Sequence, residues 1–276
     1  MTMTDKTQNL EQSLPKHKAN GPMTRRKVLI AGGTGVAIVT AGAAGLAGAA
    51  TVTTSDSDAA ASADATATAS SSVCSLTSEV TEGPYSLDGA LVRTDITEGK
   101  DGVPVEYTFT VVDEDNDCEP LADALVEIWH CDTLGEYSGF VGGNGHTEDD
   151  DGTFLRGGQV TDSSGQCSIT SIWPGHYVSR AVHVHLRVHT GVTLTDTSYT
   201  GGTLVHTGQL FFDQDINTEV QALSPYSDNT TSETLLENDG IYDDGGASSG
   251  LLTLNALGSS VSDGYAATLT MGVSTS

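Results

Sequence analysis

Basic residues are almost missing from most of this chain. Of its 11 Lys and Arg, six (Lys6, Lys16, Lys18, Arg25, Arg26, Lys27) fall in the first 27 positions, which leaves five for everything downstream. Of 37 Asp and Glu, only Asp5 and Glu11 belong to that leader. Nucleic acid is excluded as a partner, because phosphate binding needs clustered Lys and Arg. No CxxC pair occurs among the four cysteines (Cys74, Cys118, Cys131, Cys167), which excludes a cysteine zinc site. Helical periodicity is missing beyond the leader, with 216–237 the least clear region, and no internal repeat is present. Large apolar residues are absent from 51–72 (TVTTSDSDAAASADATATASSS), so that segment cannot bury a core.

What is present at the N-terminus reads as an export signal. Arg25 and Arg26 stand directly before a mildly apolar, Gly/Ala-rich run, the pattern of the twin-arginine route for folded proteins. The run is long enough to span a bilayer, so an uncleaved anchor on the outer face of the membrane is the alternative to a secreted product. The expected organisation is a signal or anchor over 1–50, a disordered tether over 51–72 and one folded domain over 73–276. An acidic surface with almost no Lys suits high salt, and the pattern predicts an exported, halophilic, haloarchaeal-type protein. Outside the membrane the even cysteine count permits one or two disulfides. Cys118 and Cys131 bracket a single strand, which makes a bond between them awkward.

From Cys74 onward, short alternating runs are separated by Gly, Asp, Asn and Pro. VEYTFTVVD, ALVEIWHC, FLRGGQVT, CSITSIW, VHVHLRVH, GQLFFD, LLTLNAL and YAATLTMGV read as strands. They predict an all-β fold, a β-sandwich or barrel of short, mostly antiparallel strands.

The run GHYVSRAVHVHLRVH (175–189) concentrates the chemistry. His183, His185, Arg187 and His189 alternate with Val182, Val184, Leu186 and Val188, so the two sets face opposite ways on a strand. An edge strand with a solvated polar face would explain this, and so would a metal site. His183 and His185 would stand about 7 Å apart at their backbones and can converge on one ion, whereas His189 lies about 13 Å beyond His185. Tyr177 follows the Pro174-Gly175 turn, and Tyr137 follows the strand ALVEIWHC. Phenolate is a hard oxygen donor that favours a trivalent ion able to hold it deprotonated below its usual pKa of about 10. Two Tyr with two His point to ferric iron.

TEGPY (81–85), RTDITEG (93–99), EIWHCDTLGEYSG (127–139), FLRGGQVTDSSG (154–165) and WPGHYVSRAVHVH (173–185) occur in order, followed by GQLFFD (208–213). Together they resemble the intradiol ring-cleavage dioxygenases, the family of catechol 1,2-dioxygenase and protocatechuate 3,4-dioxygenase, over nearly all of 73–276. The resemblance implies a transthyretin-like sandwich holding Fe(III) through Tyr137, Tyr177, His183 and His185. It implies that Arg180 stabilises charge building on the substrate ring, that Gln209 lines the pocket and that Tyr85 lies at its wall. It also implies O2-dependent cleavage of a catechol-type substrate between its hydroxylated carbons, giving a cis,cis-muconate-type diacid. Three departures bear on substrate, oligomer and compartment. Only five residues separate Tyr177 from His183, no helical dimerisation segment precedes the sandwich, and the chain carries an export signal.

Other conspicuous residues have milder readings. His130 and Trp129 would support the core behind Tyr137, with His130 a candidate for a hydrogen bond to a ligand. His146 would be solvated, His176 would point away from the site, and Asn229-Thr230-Thr231 fits an N-glycosylation acceptor. A non-enzymatic β-sandwich binding module would explain export, tether and strands but not the ordered Tyr, His and Arg. A zinc hydrolase built on the two His would leave both Tyr idle. The charge balance generates a test. Screening length falls from about 30 Å at 0.01 M salt to about 3 Å at 1 M, which relieves self-repulsion. The thermal midpoint should therefore rise from dilute buffer to molar KCl, and equal midpoints would remove the halophilic reading.

Overall fold

A computed structural model describes residues 76–142, 151–242 and 247–276. The expected export segment and tether, Cys74 and His146 lie outside the described residues. Among the described residues, no helix is long and apolar enough to cross a membrane.

Strand β1 (Pro104–Asp113) shows how alternation builds the first layer: Val105, Tyr107, Phe109 and Val111 are fully buried while their neighbours are not. It is the hub of one sheet. Strands β2 (Glu119–Pro120) and β5 (Gln166–Ile172) pair antiparallel with it, at 112–113 and 104–110 respectively. Strand β9 (Tyr265–Val273) runs parallel to β1 and pairs in turn with β8 (Thr253–Ala256). The second sheet has the order β4-β3-β6-β7, all antiparallel, from β3 (Leu125–Trp129), β4 (Arg156–Val160), β6 (His183–Leu194) and β7 (Tyr199–Phe211). This is the all-β sandwich expected from the strand pattern.

The main core fills the space between the sheets, where Tyr107, Phe109 and Ile169 meet Val126, Ile128, Val184, Leu186 and Val188. Alternation then sends the odd-numbered side chains of β3 and β6 to the far face of the second sheet. There a smaller aromatic cluster forms from Trp129, Cys131, Tyr137 and Phe140, with Tyr85, Leu87 and Tyr177 packed on it. β6 is an inner strand, and residues 183–188 are buried on both faces. That removes the edge-strand explanation of its histidines.

Three details differ from the sequence pattern or complete it. Helix α1 (Gln214–Gln221) opens on Asp213, whose carboxylate accepts from the Asp215 and Ile216 amides. Only Asn217 and Val220 are buried on it, too few positions to show a period. β7 begins well before GQLFFD, in the exposed, Gly-containing stretch from Tyr199 that lacks an apolar alternation. Cys118 is disulfide-bonded, while Cys131 and Cys167 are buried free thiols, so Cys118 and Cys131 are not joined.

Tyr226 locks the chain beneath the site. Its buried hydroxyl accepts from Val103 N (2.9 Å) and donates to Trp173 O (2.8 Å). Tyr226→Phe would leave both backbone groups unpaired and should cost about 1–3 kcal/mol, read as a lower thermal midpoint.

Candidate metal centre

Two loops bring the tyrosines together. After β3 the chain turns at Asp132, whose Oδ1 accepts from the amides of Leu134 and Glu136 (both 3.0 Å) and whose Oδ2 pairs with Lys100 (2.9 Å). Gly135 sits in the left-handed region (φ 87°), and a Cβ there would collide with the His176 carbonyl. Only glycine lets this turn pack directly on the loop after β5, and that approach sets Tyr137 beside Tyr177. Their rings meet edge to face at 5.7 Å.

β6 supplies the histidines from the opposite wall. In register, His185 lies between Trp129 of β3 and Gln209 of β7, and His183 lies opposite Phe211. Four side-chain atoms then follow one another in space. Tyr177 Oη is 3.1 Å from His183 Nε2, which is 3.1 Å from His185 Nε2, which is 3.1 Å from Tyr137 Oη. His183 Nδ1 donates to Ala181 O (2.6 Å), which leaves Nε2 as the lone-pair donor. His185 Nδ1 is buried without a partner. That ring is fixed by stacking on Trp129, 5.0 Å away and 7° from parallel, and by whatever its Nε2 binds.

Burial drives every ionisable member of this set toward its neutral form. It lowers His183 to about 3, with Arg180 adding to the effect. It lowers His185 well below the usual value, with His183 contributing. It raises both tyrosines, Tyr137 well above its ordinary value with Tyr177 adding, and Tyr177 against the opposing pull of Arg180. Two neutral imidazoles and two phenols facing one point suit a hard, highly charged cation, which alone would make phenolates stable there. The donor set therefore fits ferric iron. Among the described residues no group of three or more His, Cys, Asp or Glu could hold a metal ion, so a carboxylate-assisted zinc site has no counterpart.

Arg180 reaches the same place from the loop before β6, with Nη1 3.4 Å from His183 Nε2. It is gripped by Asp239, a fully buried carboxylate that accepts from Arg180 Nε (2.9 Å) and from Ala181 N (2.7 Å). Burial pushes the Asp239 carboxyl up, but these hydrogen bonds outweigh it and hold the group below the usual carboxylate value. Gln209 accepts from Arg180 Nη2 and donates to Thr81 O. It thus positions the arginine and is not among the residues lining the cavity below. Asp239 escaped the sequence reading because Asn238-Asp239-Gly240 looks only like a turn.

The cavity in front of the donor atoms holds about 650 Å³. Tyr85, Tyr137, Phe140 and Tyr177 form its aromatic floor, with Tyr85 stacked on Tyr137 at 4.4 Å. The segment 81–85 is clamped over the sheet by Glu82–Arg187 (2.7 Å) as well as by Thr81–Gln209.

The remaining histidines lie elsewhere. His130 bonds Cys131 O (2.8 Å) and Ser171 Oγ (2.7 Å), not a tyrosine or histidine of the site. The ring that does support the site is Trp129. His176 points away, to Gln221 Oε1 (3.0 Å) and Thr231 O (2.9 Å). His189 lies beyond a bulge in the β6–β7 pairing, 3.5 Å from Glu127. The Asn229 amide nitrogen is engaged with His176 O at 2.8 Å.

Known proteins share this arrangement of fold and sequence. Residues 81–217 match the family described as dioxygenase. A solved intradiol ring-cleavage dioxygenase from Tetranychus urticae is 30% identical, with a TM-score of 0.64 over 73% of this chain and 95% of that chain. A second solved dioxygenase gives the same values. The curated catechol 1,2-dioxygenase of Acinetobacter baylyi is 32% identical over 106 residues, and the match spans only 32% of that protein's length. The chain belongs to the intradiol ring-cleavage dioxygenase family.

Gly83 offers a test of how tightly the site is packed. It has φ 73°, and a Cβ there would stand 2.9 Å from His185 Cε1. Gly83→Ala should cost about 1–2 kcal/mol from the backbone alone and should displace the imidazole. Lower thermal stability together with weaker retention of a metal by the four donors is the expected result, measured by calorimetry and elemental analysis.

Proposed function

We propose that this protein cleaves a catechol ring between its two hydroxylated carbons, adding both atoms of O2 to give a cis,cis-muconate-type dicarboxylic acid. The observation that carries the reading is the succession of Tyr177 Oη, His183 Nε2, His185 Nε2 and Tyr137 Oη at 3.1 Å steps. In this reading the four side chains hold Fe(III), which when bound keeps both phenolates ionised and draws electron density from the catechol oxygens.

The protein's own groups divide the remaining work. Both tyrosines border the cavity, but Tyr177 is the more exposed, so its Oη is placed to accept a catechol proton, whereas Tyr137 is nearly inaccessible and stays in place. His183 and His185 act as neutral nitrogen donors, their orientations set by Ala181 O and by Trp129. Arg180, immobilised by Asp239 and Gln209, presents fixed positive charge where negative charge grows on the ring. The aromatic floor of Tyr85 and Phe140 excludes water from the ring face. The paired arginines and the acidic composition support export by the twin-arginine pathway, with secretion or anchorage on the outer face of the membrane, and adaptation to salt.

Oxygen uptake with identification of the ring-opened product tests the reaction. Wild type should be red from phenolate-to-iron charge transfer. Tyr177→Phe should retain iron yet lose most turnover. His183→Ala and His185→Ala should each lose iron, and His189→Ala should keep it. A colourless, iron-free wild type after expression with ample iron would overturn the assignment.

A further inference from the structure

Among the described residues, the lining of the cavity includes a carboxylate and no Lys or Arg. Glu136 lines it together with Leu134 and Val178, and both of these apolar residues are exposed, Val178 to 71%. The backbone of Glu136 is held in place. Its amide donates to Asp132 Oδ1 (3.0 Å) and its carbonyl accepts from Asp132 N (2.8 Å), which fixes its backbone directly beside Tyr137.

The five cations of the chain beyond the leader are all committed elsewhere. Arg93 pairs with Glu98 (2.6 Å), Lys100 with Asp132 (2.9 Å) and Arg187 with Glu82 (2.7 Å). Arg156 is buried and donates to the carbonyl and hydroxyl of Ser138. Arg180 pairs with Asp239 at the histidine end of the site. None of the five lines the cavity. A carboxylate on a substrate ring held in this cavity would therefore meet Glu136 with no Lys or Arg of the lining to offset it. An ammonium group on a short side chain would meet a partner in the same place.

We propose that the site sorts catechols by charge, with Glu136 as the specificity-determining residue: neutral and cationic ring substituents are admitted and ring carboxylates are rejected. This rests on the ring-cleavage reading for its choice of ligands, but it concerns binding and is testable without turnover. Rejection by an unpaired like charge separates ligands more sharply than a small gain in contact area.

Three probes share the same two hydroxyls and differ in charge: catechol, 3,4-dihydroxybenzoate and 2-(3,4-dihydroxyphenyl)ethylamine. Their Kd values are measured on the iron-loaded protein without oxygen, near pH 7, by quenching of intrinsic fluorescence. Working in 1 M KCl shortens the screening length to about 3 Å, so repulsion by the net charge of the whole protein drops out and the local carboxylate remains. The carboxylate should bind at least tenfold more weakly than catechol, and the amine no more weakly than catechol. E136Q should narrow the amine-to-carboxylate ratio and E136K should narrow it further. Because Glu136 is exposed, both variants should fold, and thermal midpoints check this. A carboxylate penalty below tenfold, or a ratio that neither variant moves, overturns the proposal. Oxygen uptake with catechol tests the parent reading separately: charge-sorted binding without uptake removes the reaction and leaves the sorting rule standing.

Discussion

The pairing of β6 between β3 and β7 is the constraint on which the rest of the structure depends. It places Trp129, His185 and Gln209 side by side across three strands, and Glu127, Arg187 and Thr207 two residues further on. Because strand side chains alternate, a slip of one residue would send both histidines into the hydrophobic core and turn Val184 and Leu186 to the cavity. The buried apolar face thus fixes the register, and the register aims the imidazoles. Nothing in the donor geometry needs to be specified twice.

Charge is handled by a different device. The donor atoms are all neutral when buried, Arg156 lies behind the Tyr137 ring, and the charge that reaches the histidines directly belongs to Arg180, which Asp239 matches from a fully buried position. Removing one partner of such a pair is costly, since it leaves the other unmatched in a poorly solvated place. The pair also captures the Ala181 amide, which holds the backbone that leads into β6. The same carboxylate therefore places the guanidinium and the first histidine together. The Asp132 turn does the equivalent work for Tyr137, so two buried aspartates, far apart in sequence, define opposite sides of the site.

Much of this could be read from the chain. The alternation in VEYTFTVVD and VHVHLRVH located β1 and β6, and the ordered motifs brought Tyr137, Tyr177, His183, His185 and Arg180 into one place before any coordinates did. What escaped has physical reasons. Helix α1 is too short to carry a period and is set by its Asp213 cap. The first half of β7 is exposed and Gly-containing, so no apolar stripe announces it. Asp239 acts through contacts between distant segments, to which local pattern is blind. His130 looked like a supporting residue because it neighbours Trp129, yet alternation points it to Ser171 instead. The contact of Gln209 with Arg180 is of the same long-range kind as that of Asp239.

The scarcity of cations has a chemical consequence as well. Catechols in air turn into ortho-quinones, which add to free amines and thiols. Lys100 is the one lysine beyond the leader, and its ammonium is tied to Asp132 and lies 3.8 Å from the centre of the Phe154 ring. The two free thiols, Cys131 and Cys167, are buried, and burial raises Cys167 to about 12 and Cys131 still further. In the extracellular role proposed above, the domain beyond the leader would offer such oxidation products almost no amine or thiol to arylate, so the composition that makes it acidic would also make it durable among them.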